Sequence, residues 1–86
     1  MMINIIPVDL RLSDNLSLRA VIVYQNKKYV YIVDRKTWES YIVETDNELN
    51  FKTIESDEIF DTILNELVKR KIILTDYEVK LWNIIG

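Results

Sequence analysis

The chain has 86 residues, no cysteine and no histidine, which excludes a disulfide framework and removes the usual general base, nucleophile and transition-metal ligands together. Its one glycine is the last residue, so no glycine-rich phosphate cradle of the Walker or dinucleotide type exists. A net charge of −3 disfavours nonspecific attraction to nucleic acid.

A hydrophobic fraction of 49% is ample for one core, and the length predicts a single domain over residues 1–86. No run approaches a membrane span, and "MMINIIPV" lacks the basic start and full apolar stretch of a signal peptide. The expectation is a cytoplasmic protein without cofactor or metal. Charge is unevenly spread. Residues 1–43 carry +2, residues 44–66 carry eight acids against Lys52 alone, and residues 67–86 return to +2.

Strands come first in chain order, as a meander over about 8–54. Val8, Leu10 and Leu12 alternate with Asp9 and Arg11, the period of a half-buried strand. Ser13-Asp14-Asn15 is a turn cluster, after which alternation resumes from Leu16 to Tyr24. A two-residue turn at Asn26-Lys27 would set Tyr24 against Tyr29, Ile22 against Tyr31 and Arg19 against Asp34. Both faces of this hairpin are apolar. One carries Leu18, Ala20, Ile22, Tyr24, Tyr29, Tyr31 and Val33, and the other Val21, Val23, Val30 and Ile32. A sheet with one wet face alternates more cleanly, so the second face is expected to be covered by the chain itself or by a partner or second copy. A further hairpin about Asp46-Asn47 would place Ile42 against Phe51 and Glu44 against Leu49.

At Ser56 the period changes. Ile59, Phe60, Ile63, Leu64, Leu67 and Val68 form one helical stripe, predicting a helix over about 57–71 packed on one face of the sheet. Ser56 is its natural N-cap, and Lys69-Arg70-Lys71 suit its negative end. Thr75-Asp76-Tyr77-Glu78 fits a capping box with Leu74 and Val79 as its staple, which predicts a short helix over about 76–85. The rival reading of that tail is an edge strand. The fold class expected is therefore α+β: a four- to five-stranded antiparallel meander with an amphipathic helix on one face and a short C-terminal helix.

Candidate chemistry is sparse. "DNELNFKTIESD" has the oxygen spacing of a calcium loop at its start, but Phe51 stands where glycine is required and Asp57 where the closing glutamate should be. Lys27, Lys28, Tyr29, Tyr31, Arg35, Lys36 and Trp38 interleave cations and aromatics, yet Tyr29 and Tyr31 fall on the expected core face, so direct nucleic-acid binding is not expected. What remains is noncatalytic protein binding through an apolar or aromatic surface: Trp38 and Trp82, or the second face with Val21, Val23, Val30 and Ile32. An alternative is an acidic decoy of nucleic acid built from Glu44, Asp46, Glu48, Asp57, Glu58 and Asp61. A third is a self-associating structural protein, a homodimer in its simplest form. "LVKRKIILTDYEVKLWNIIG" resembles the closing pattern of small proteins from phages and mobile elements, with Lys71 where that pattern usually has glycine. The resemblance implies an accessory protein acting as an inhibitor or assembly component.

Overall fold

A computed structural model describes residues 2–72. Five strands, β1 (Ile3–Arg11), β2 (Leu16–Tyr24), β3 (Lys27–Asp34), β4 (Ser40–Thr45) and β5 (Phe51–Thr53), precede one helix, α1 (Asp57–Lys69). They form a single antiparallel sheet in the order β1-β2-β3-β4-β5. The helix expected over 76–85, and Trp82 with it, lie outside the described residues.

The first strand begins five residues earlier than the alternation at Val8 predicts. Ile3 to Pro7 pair with Tyr24 to Ala20. The run "INIIPV" is nearly continuous in apolar residues, so it hides the period of two, and Pro7 argues against a strand. The structure accommodates it because β1 is an edge, where proline is tolerated.

The β2–β3 turn is Gln25-Asn26 rather than Asn26-Lys27. Both residues have positive φ, 52° and 63°, as the type I′ hairpin turn requires. The pairing is therefore Tyr24 with Lys27, Ile22 with Tyr29 and Ala20 with Tyr31. That displacement by two residues leaves the side chains from Ala20 to Tyr31 on their expected faces. Arg19 then breaks the pattern as a bulge. Leu18 pairs with Ile32 and Leu16 with Asp34, so Leu18 joins the second face and Arg19 does not meet Asp34. Opposite the bulge, Val8 and Asp9 are the extra residues of β1, and Asp9 forms an ion pair with Arg19 at 3.8 Å.

The last hairpin also differs. Its loop is Asp46–Asn50, with Leu49 at φ 62°, and Glu44 faces Lys52 while Thr45 faces Phe51. The Asp46 carboxylate holds the loop by accepting from the Glu48 and Asn50 amides and from Asn50 Nδ2. The pairing shifts by an odd number, which moves Phe51 to the second face.

Helix α1 starts at Ser56, whose Oγ accepts from the Ile59 amide at 3.2 Å. It ends in a Schellman arrangement. The Ile72 amide donates to Leu67 O and the Lys71 amide to Val68 O, both at 2.9 Å, with Lys71 left-handed at φ 60°. Phe60, Ile63 and Leu67 are buried against Ala20, Ile22, Tyr29, Tyr31 and Ile42. Thirteen residues span about 20 Å, close to the roughly 19 Å of four interstrand gaps. The helix thus leaves β5 and reaches β1, where Arg70 donates to Ile3 O. The other face carries a separate buried cluster, Leu18, Val30, Ile32 and Val43, with Val8, Leu12, Leu16, Val21, Tyr41 and Phe51 around it. Among the described residues no helix is long and apolar enough to cross a membrane.

Candidate functional site

Beyond the C-terminal end of α1, the sheet opens into a groove of about 390 Å³. Its floor is Tyr31 and Val33, from the second half of β3. Pro7 and Val8 of the bulged edge strand form one side, and Ile72 closes the helix end. Arg19 and Lys71 bring two cations to the rim, and Trp38 stands on the far side. The register shifts at Arg19 in β2 and at Val8–Asp9 in β1 fall beside this groove, which Arg19 and Val8 both line.

Trp38 is placed by a tightly bonded loop between β3 and β4. Asp34 Oδ1 accepts from the Lys36 and Thr37 amides, and Asp34 O accepts from the Trp38 amide at 2.7 Å. The Asp34 amide donates to Glu39 O, and the Glu39 amide to Thr37 Oγ1. Within this frame Trp38 takes φ 61°, a left-handed conformation that costs an L-residue with a bulky side chain about 1–2 kcal/mol. The residue is nonetheless 51% exposed. Arg35 ties the same end of the sheet to the β1–β2 turn by donating to Ser13 O and Asp14 O.

The other residues singled out by the sequence are scattered. Val30 and Ile32 are buried at 1% each in the second cluster, so they offer no surface to a partner. They lie on the central strand, with apolar neighbours from β1, β2, β4 and β5 packed around them. Val21 and Val23 are half-buried nearer the β1 edge, where Ile6 and Leu10 are exposed. Leu10 belongs to the alternation the sequence shows from Val8, whereas Ile6 lies in the first half of β1, where the apolar run hides the period.

The acidic residues do not form one display. Glu44 is mostly buried, between Lys52 Nζ at 3.0 Å and Lys27 Nζ at 3.6 Å. Burial pushes its carboxyl up, but hydrogen bonding and charge from Lys52 and Lys27 outweigh that and hold it below the usual carboxylate range. Its charge also adds to burial in raising the Tyr29 phenol above its ordinary value. Asp46 is held low by its bonds to Asn50 and Glu48, so its oxygens are committed to its own loop. Glu48, Asp57, Glu58 and Asp61 are exposed. Among the described residues no three acidic side chains converge to hold a metal ion.

The described residues define a small α+β domain: an antiparallel five-stranded meander with one helix, and a groove at the helix end. No family model, curated protein or solved structure matches the chain.

Proposed function

We propose that the chain is a noncatalytic protein-binding module whose contact surface centres on Trp38 and the adjoining groove. The observation that carries this reading is a half-exposed tryptophan held in a left-handed backbone beside a groove lined by apolar residues and two cations. Strain of that kind persists where surrounding bonds enforce it, and an exposed aromatic at such a point has the properties of an interface anchor. Inhibition of another protein, or assembly with one, is the role such a module would serve in the cytoplasm. The sequence pattern at the chain end favours a phage- or prophage-type accessory protein.

The acidic decoy draws less support, because two of its six carboxylates, Glu44 and Asp46, are engaged within the fold. Capture by tagged wild-type chain, Trp38→Ala and a Glu48→Lys/Asp57→Lys/Asp61→Lys triple variant separates the readings. A partner that survives high salt and the triple variant but is lost with Trp38→Ala supports the groove. Loss with salt and with the triple variant, and retention with Trp38→Ala, would replace it by the decoy.

A further inference from the structure

The outer edge of β1 has a backbone pattern that can be worked out from the hairpin beside it. A two-residue turn makes its flanking residues, Tyr24 and Lys27, a hydrogen-bonded pair. Along β2 the backbone groups of Tyr24 and Ile22 therefore point to β3, and those of Val23 and Val21 point to β1. Asn4 and Ile6, their partners, point inward, which leaves Ile3, Ile5 and Pro7 pointing away from the sheet. Two independent features agree. Ile3 O accepts from Arg70 Nη2 at 3.2 Å, and Pro7, which has no amide hydrogen, stands where none is needed by β2.

We propose that Arg70 and Pro7 together close this edge to a second copy of the chain. An antiparallel two-fold pairing of β1 with itself through the outward residues sets Ile5 against Ile5 and Ile3 against Pro7. In the second pair, the Pro7 amide would have to donate to Ile3 O. Proline lacks that donor, and Arg70 supplies the carbonyl with one from its own chain. Glu66 holds the guanidinium in place, its Oε2 3.3 Å from Arg70 Nε. The Val8–Asp9 bulge ends the regular edge after Pro7.

The need for such a closure is visible in the side chains. Met2, Ile6 and Leu10 are all exposed on or beside β1, and an edge strand with exposed apolar side chains is a template for pairing when nothing blunts it. The opposite edge needs no such device, since β5 has three residues with Lys52 at its centre. A second copy is the fitting occupant, because the same outward triplet is complementary to itself once donor and acceptor are restored.

The test compares the full wild-type chain with Arg70→Ala, Pro7→Val and the double variant by light scattering over a concentration series. The double variant is expected to self-associate at a concentration at least roughly tenfold lower than wild type, with the single variants between. A folded double variant that associates no more readily than wild type would overturn the proposal. Amide exchange of the wild-type chain is the second measurement and needs no variant. Ile6 should be protected and Ile5 exchange freely at low concentration; a protected Ile5 amide would show the edge already paired and end the argument.

Discussion

Replacing Trp38 separates what its side chain contributes from what its backbone costs. The residue is 51% exposed, so of the 150–250 Å² an aromatic can bury about 100 Å² is in contact. At about 25 cal/mol per Å² that contact is worth up to roughly 2.5 kcal/mol. Trp38→Ala loses the contact and keeps a Cβ in the left-handed region. Trp38→Gly loses the same contact and releases about 1 kcal/mol or more of backbone strain. Glycine should therefore exceed alanine in stability by about 1 kcal/mol, the reverse of their order in regular structure. For a chain of this size that is roughly 4–8 °C in Tm. Urea unfolding followed by tryptophan fluorescence is complicated by the loss of one ring, so far-ultraviolet circular dichroism is the assay, with equal m values as the check. If the alanine variant equals or exceeds the glycine variant, the left-handed strain at Trp38 is not there. If both variants bind the captured partner as well as wild type, the anchor role fails while the stability argument stands.

Lys71 occupies the left-handed position that ends α1, so Lys71→Gly should stabilise the chain by about 1 kcal/mol, read as a raised urea midpoint. The Ser40 hydroxyl is buried at 1% exposure without a hydrogen-bond partner; Ser40→Ala should be neutral or stabilising by up to about 1 kcal/mol, and a clear loss would reveal a partner for that oxygen. Glu44 has a lowered carboxyl, so its contribution is present above the unfolded carboxylate range and fades as pH falls through its folded value. Glu44→Gln should cost about 1 kcal/mol at neutral pH, and its difference from wild type should shrink progressively under acid, as thermal melts at a series of pH values will show.

Legibility in this sequence followed the strength of the local signal. The helix was readable because six apolar residues share one stripe and Ser56 caps it, and both features act within a few residues. Turn chemistry was readable in kind but not in position. Asn26 tolerates positive φ in either turn, and the two registers differ by two residues, so the alternation of faces does not distinguish them. The bulge at Arg19 left no mark in the alternation, because "LRAV" reads as regular strand whether or not one residue is extra. Its consequences are large all the same. It moves Leu18 to the second face and brings Arg19 to Asp9, beside the groove that Trp38 borders.

The two apolar faces raised the choice between an internal core and a partner, and the described residues answer it unevenly along the sheet. At the centre, Val30, Ile32 and Val43 are sealed, which is what a core does. Toward β1 the sealing stops: Val21 and Val23 are half-buried, and Ile6 and Leu10 are exposed. That gradient runs toward the strand whose outer backbone is blunted by Pro7 and Arg70. An apolar margin combined with a blocked backbone edge admits partners by side-chain contact and turns away those that would extend the sheet. Trp38, with its groove next to the same strand, fits this rule: it presents a ring and an apolar floor rather than a free ladder. Contacts of that kind rest on buried area and shape, so the binding they give should depend weakly on salt. The salt response of the captured complex consequently bears on the sheet edge as well as on the acidic surface.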